Sequence, residues 1–243
     1  MLQHPGPRGH DIAVLFSEAT RAAHVRAAAE RGETYTFTDA HGEPRTWLKG
    51  EYAYLAANAA DLLLARCNLK HDVVEEAQLD ATLMERCRAL LVPDAAHLTA
   101  ATIRWIEAWK SRPGRCLLVS GVSNLPPSLL GLRSLKAFVP QGYSGWRWLP
   151  GSAFAGPDWE PLYVSGYRGH SLAIVEAGEG STVEAELLEL SGDLRDATTV
   201  TARRLGAAIV TSPGTVYIAN PVFELIGGML QAHLNVEAVR HWA

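Results

Sequence analysis

Cysteine is scarce in this chain: Cys67, Cys87 and Cys116 lie far apart in 243 residues, with no C-x-x-C pair among them. That argues against a disulfide framework and a zinc ribbon, and reads as reduced thiols in a cytoplasmic chain. Metal-ligand spacing is missing too. The nine histidines form no H-x-x-x-H or H-x-H pair, so neither a metal nor another cofactor is expected. No apolar stretch near the N-terminus has the form of a signal peptide, and no run is long enough to cross a bilayer, which excludes a membrane partner. Charge of one sign is not concentrated either. Lys and Arg number 22 against 26 Asp and Glu, interspersed at a net charge of -4, so no cationic stripe is present to neutralise phosphates and nucleic acid is a poor partner.

Apolar residues are plentiful, at 48% of the chain, enough to bury a full core. Residues 1–11, rich in Pro, Gly and His, read as a lead-in to a domain of residues 12–243. Ile12 to Phe16 is an uninterrupted apolar run, as a strand buried on both faces requires. Tyr35 to Glu51 reads as a loop or hairpin and Tyr52 to Leu69 as a helix packed on the sheet. His71 to Val74 is a short strand, Leu79 to Cys87 a connection or short helix, and Ala89 to Pro93 a strand ended by proline. Thr99 caps a helix carrying Ile103, Ile106 and Trp109, and Leu117 to Val119 is the next strand. Alternating strands and helices with short connections predict a right-handed parallel α/β sheet.

Beyond Leu125 the texture changes. Residues 126–169 are dominated by Pro, Gly and aromatics, and read as an extended insertion over an edge of the sheet. Ser171 to Val175 and Thr182 to Leu190 read as antiparallel strands joined around Gly178 and Gly180. A second pair, Ala207 to Thr211 and Thr215 to Ala219, turns at Ser212-Pro213-Gly214, and helices follow over Phe223 to Leu234 and Val236 to Trp242.

The order I-A-V-L-F-S at 12–17, the helix near 52–69, A-L-L-V-P-D-A-A-H-L-T at 89–99, I-R-W-I-E-A-W at 103–109, C-L-L-V-S-G-V-S at 116–123 and G-T-V-Y-I-A-N-P at 214–221 resembles the trimerisation domain of bacterial β-galactosidases. That domain belongs to the class I glutamine amidotransferase-like, flavodoxin-like superfamily. The resemblance covers about two thirds of the chain. It implies a flavodoxin-like parallel sheet flanked by helices, with a β-rich C-terminal addition and terminal helices. It also implies assembly, by self-association or with a carbohydrate-active partner domain. β-Galactosidase catalysis resides in a separate barrel, which this chain is too short to include. Amidotransferases need a G-x-C-x-G elbow with a downstream base. Here the turn reads Ser120-Gly121-Val122-Ser123-Asn124, and Cys116 falls earlier, inside the apolar run, so the resemblance implies a degenerate active site.

Two readings stand for each candidate residue. Ser123 is a nucleophile with His170, His233 or His241 as base, or it satisfies backbone groups in a turn. Ser17, Glu18, Asp94, His97 and Ser120 fall at the carboxyl edge of the sheet, where open α/β folds bind ligands, or they cap and solvate loops. Glu75 and Glu76 form an acid/base pair or are solvated, and the alternation Glu184-Ala185-Glu186-Leu187 reads as the solvent face of a strand. Tyr143, Trp146, Trp148 and Trp159, with Tyr163, Tyr167, Arg147 and Arg168, form a sugar platform or protein interface, or fill a satellite core beneath a long loop. The leading expectation is a non-catalytic assembly or interaction domain of a carbohydrate-active protein. The alternatives are a hydrolase or amidotransferase-like enzyme using Ser123, and a sugar- or nucleotide-sensing domain.

Overall fold

The computed structural model describes residues 9–38, 42–48, 52–154, 162–166, 171–193 and 199–227. In strand β1 (Ile12–Phe16), Ala13, Val14 and Leu15 are fully buried, as the unbroken apolar run requires. Helix α1 (Glu18–Glu30) follows, its N-cap Ser17 accepting from Thr20 N at 3.0 Å. The sequence pattern assigns no helix here, because α1 buries only Thr20 and Ala28 and carries no apolar stripe. Strands β2 (Thr34–Thr38) and β3 (Pro44–Leu48) form an antiparallel hairpin, and α2 (Tyr52–Arg66) leads to β4 (Asp72–Glu75). After a 3-10 turn at Glu76–Gln78 come α3 (Ala81–Arg86), β5 (Ala89–Val92), α4 (Ala100–Lys110) and β6 (Cys116–Ser120). Thr99 caps α4 as expected, accepting from Thr102 N at 3.1 Å.

The second half of the chain contributes β7 (Leu132–Phe138), β8 (Tyr143–Trp148), β9 (Leu162–Gly166), β10 (Leu172–Ala177), β11 (Thr182–Ser191), β12 (Thr201–Ser212) and β13 (Thr215–Ile218). The main sheet has the order β4-β1-β5-β6-β13-β12-β11-β8-β9. From β4 to β13 the neighbours are parallel, and from β13 outward they are antiparallel. Ranked by chain position, the parallel strands run 2-1-3-4-5, the flavodoxin order.

Helices cover both faces of the parallel part. Leu83 of α3 and Ile106 and Trp109 of α4 join Ala13, Leu15, Leu90, Val92, Leu117 and Val119 in one core. Ala56, Ala59 and Ala60 of α2 join Val14 and Phe223 in the other. The alternation of Val14 against its neighbours in β1 follows from the two-residue period of a strand. Arg115 ties the first core together, its guanidinium donating to the carbonyls of Cys87, Met84 and Glu85 where α3 ends. Burial pushes the neighbouring Cys87 thiol up to about 11, so it stays protonated.

Three expectations are corrected here. Residues 126–169, expected as an extended insertion over an edge of the sheet, contain β7, β8 and β9, and β8 and β9 continue the main sheet beyond β11. Strand β10 pairs with β7 rather than β11. Close backbone approach fixes that partner: a Cβ on Gly178 would meet Gly131 O at 3.1 Å, and one on Gly206 of β12 would meet Val175 O at 2.9 Å, so β10 stacks across β12. Glu184 is buried rather than solvated, because register shifts in β11 break the alternation. Its carboxylate accepts from Thr211 Oγ1 and Ala153 N, each at 2.9 Å. Residues 222–227 are helical. The remainder of the expected C-terminal helices lies outside the described residues, as do Trp159, Tyr167, Arg168, His170, His233 and His241.

Candidate functional site at the carboxyl edge

The connection from β1 crosses the face carrying α2, whereas that from β5 crosses the face carrying α4. The sheet order therefore reverses between β1 and β5, and this is the place where open α/β sheets hold ligands. Ser17 and Glu18 leave β1 there, and Asp94 to His97 leave β5.

Most of the small hydroxyls at this edge are already engaged. Ser17 is buried as the α1 cap. Ser120, also buried, donates to Pro93 O at 2.8 Å. Ser123 makes a single parallel bridge with Ala95, and its hydroxyl accepts from Leu125 N at 3.1 Å. Among the described residues it has no hydrogen bond to a histidine. Asn124 clamps the same loop, accepting from Leu98 N at 3.1 Å and donating to Leu98 O at 2.9 Å. Glu18 is solvated and pairs with Arg21 at 2.6 Å, which holds its carboxyl below the usual glutamate range.

A nucleophile elbow places its reactive residue on a strained strand-to-helix turn. In this chain the left-handed residue directly after β6 is Gly121, at φ +75°, and the next helical element is only the 3-10 turn Pro127–Leu130. A Cβ at Gly121 would meet Pro221 Cβ at 3.3 Å. Its carbonyl accepts from Tyr217 OH at 2.6 Å, and burial raises that phenol far above its ordinary pKa, keeping it a donor. The sharp turn is thus built around a residue with no side chain.

What remains at the switch point is imidazole and carboxylate. His24 Nε2 lies 2.9 Å from Asp94 Oδ2, while Asp94 Oδ1 accepts from Ala96 N at 3.2 Å. The His97 ring stands edge-on to His24 at 5.7 Å, and His97 N donates to Thr20 Oγ1 at 3.2 Å. Burial pulls the pKa of His24 down, but the hydrogen bond and charge of Asp94, with the charge of Glu224, outweigh it and raise the pKa overall. His97 moves the other way, lowered by burial and by the charge of His24. Glu76, just after β4, lies at the same edge: Oε2 accepts from Ala19 N at 3.2 Å, and Oε1 accepts from Thr102 Oγ1 at 2.7 Å and Thr99 N at 3.3 Å. One carboxylate thereby serves the N-termini of both α1 and α4. Among the described residues, no three His, Cys, Asp or Glu side chains gather as metal ligands.

The sequence points to Asp94 and His97 by their position after β5, to Glu76 only as half of an acid pair and to Gly121 only as part of a turn, and it gives no direct sign of His24. The signal for His24 was its spacing: it falls four residues after Thr20 and seven after Ser17, on one helix face, once α1 is assigned. The aromatic candidates sit elsewhere. Trp146 is a core residue, 8% exposed, donating from Nε1 to Asn220 Oδ1 at 2.6 Å, and Asn220 in turn donates to Ser144 Oγ at 3.0 Å. Trp148 packs against the same core at 6.1 Å from the Trp146 ring, and Tyr143 is half-buried.

No protein-family model matches the chain, and no curated protein matches it. Solved structures do. An α-L-fucosidase isoenzyme 2 from Paenibacillus thiaminolyticus aligns at TM-score 0.55 and 19% identity over 95% of this chain. A ThuA-like protein from Bacteroides uniformis aligns at TM-score 0.55 and 12% identity over 100% of this chain and 94% of its own. The exo-β-1,4-mannosidase Op5Man5 from Opitutaceae bacterium strain TAV5 aligns at TM-score 0.52 and 10% identity over 97% of this chain. The likeness is one of fold. The chain spans 31% of the fucosidase and 35% of the mannosidase. No described helix is long and apolar enough to cross a membrane.

Proposed function

We propose that this chain is a non-catalytic assembly or interaction module of a carbohydrate-active protein. The observation that carries this reading is the turn after β6: Gly121 occupies its left-handed position, and Ser123 is bound into a local loop. Covalent catalysis needs an exposed nucleophile hydrogen-bonded to a base, and among the described residues Ser123 is buried and has no such bond. The carbohydrate connection draws on the fucosidase and the mannosidase, in which a region of this fold makes up about a third of the chain. The resemblance to a β-galactosidase trimerisation domain points the same way, toward association with further copies or with a glycosidase domain.

The test has two parts. Wild type and Ser123→Ala are assayed against p-nitrophenyl acetate, p-nitrophenyl glycosides and glutamine; neither protein turns any of them over if the reading holds. Light scattering then gives the mass in solution, expected at a multiple of 26.3 kDa for self-assembly. A monomer at all concentrations would contradict self-assembly and leave a glycosidase domain as the partner. A second reading, a sugar-sensing domain, is favoured by the His24–Asp94–His97 cluster at the switch point.

A further inference from the structure

We propose that the edge between β1 and β5 is a binding site for a neutral polyhydroxylated ligand, a free sugar, which His97 and the His24–Asp94 pair recognise and which Glu76 defends against phosphorylated analogues. The inference rests on the non-catalytic reading above and names the ligand class for the same edge.

The hydroxyls of Ser17, Ser120 and Ser123 are committed to backbone partners or to their own turns, so they offer little to a ligand. The ring nitrogens of His97 have no hydrogen-bond partner among the described residues, and the residue is exposed. Asp94 accepts from His24 and from Ala96 N, and a carboxylate has acceptor capacity beyond two bonds. The cluster therefore presents an imidazole with one donor and one acceptor beside a carboxylate that still accepts. Adjacent hydroxyls of a sugar, each both donor and acceptor, match that pattern.

Charge decides between sugar classes. In open α/β folds the first-turn amides after β1 are the usual place for a phosphate, because a helix N-terminus favours negative charge. Here Glu76 already takes Ala19 N in α1, and it takes Thr99 N and the Thr102 hydroxyl at the start of α4. A phosphate entering this edge would have to displace that carboxylate or lie against it and Asp94. On α1, Arg21 is held by Glu18, and the charge of Arg26, which reaches His97, is set against the two carboxylates of Asp94 and Glu76. A nucleotide or phosphosugar is disfavoured, and a neutral sugar meets no such repulsion.

The experiment follows the imidazole resonances of His24 and His97 by NMR while L-fucose, D-mannose, L-fucose 1-phosphate and D-mannose 1-phosphate are added to the full chain. A saturable shift of both imidazoles is expected with at least one neutral sugar, and its phosphate should bind at least about tenfold more weakly. His97→Ala should abolish the shift while the His71 resonance, fixed by its 2.7 Å contact with Asp61, stays in place as the folding control. Glu76→Gln should narrow the gap between sugar and phosphosugar. Silence of both imidazoles with both neutral sugars overturns the proposal, as does a phosphosugar that binds as tightly as its parent. Turnover that depends on Ser123 would instead overturn the non-catalytic reading, and it is measured without reference to these resonances.

Discussion

The nine-stranded sheet is two sheets of different character joined at β13. In the parallel half every strand is covered by helices or by neighbouring strands, and Ala13, Val14, Leu15, Leu90 and Leu117 are fully buried. In the antiparallel half Trp146, Leu187 and Ile209 join the core, while ion pairs run along the strands: Arg147 and Arg204 on Glu186, and Arg203 on Glu189. The first half concentrates its polar groups at strand ends, where His24 meets Asp94 and Glu76 holds the N-termini of α1 and α4. The second spreads them along the strands. Strand ends are where open α/β folds bind ligands, whereas ion pairs along a strand keep it solvated.

The largest effect is expected at Trp109 in the parallel half, fully buried and donating from Nε1 to Cys87 O at 2.9 Å. Trp109→Ala should lower unfolding free energy by about 3–5 kcal/mol in urea titration. Next is Glu184, the buried carboxylate of the antiparallel half. Glu184→Ala strands the Ala153 amide and the Thr211 hydroxyl and should cost about 1–3 kcal/mol.

The same residue sets a pH dependence. Burial raises the Glu184 pKa, but its hydrogen bonds from Ser152, Thr211 and Ala153 outweigh this and lower it below the ordinary 4.5. A carboxyl depressed in the fold stabilises above its unfolded value and loses that contribution as pH falls through its folded value. Urea midpoints measured downward from pH 6 should therefore fall less steeply in Glu184→Gln than in wild type, the difference appearing below about pH 4.5.

A smaller effect is expected at the elbow. Gly121→Ala forces a side chain into a left-handed turn against Pro221, and should cost about 1–2 kcal/mol by thermal unfolding. The smallest belongs to the ion pairs. Arg203→Ala removes a largely exposed partner of Glu189, and the change should stay within about 1 kcal/mol in the same assay.

Legibility in the sequence follows the same division. Strands covered on both faces appear as unbroken apolar runs, so Ile12–Phe16, Ala89–Val92 and Cys116–Ser120 were readable from residue order. Helix α1 was not, because a thin Ala-rich face leaves no periodic stripe. Strand β8 is hidden by its glycine and aromatics, β7 by the lack of a clean apolar alternation over Leu132–Phe138, and the burial of Glu184 by register shifts that no local pattern records. The position of Asp94 and His97 at the sheet edge is legible from a rule about strand ends. Glu76 was considered only as half of an acid pair, and its actual partners are backbone and hydroxyl groups from α1 and the start of α4, far from it in sequence. Gly121 was legible as a turn glycine, but its occupancy of the position an elbow would give to a nucleophile depends on its φ of +75°.

The central claim is that this edge binds without forming a covalent bond. The most direct test is the steady-state hydrolysis of p-nitrophenyl acetate by wild type and Ser123→Ala at equal concentration. The account predicts the same background rate for both proteins, whereas turnover by wild type that is lost in Ser123→Ala would contradict it.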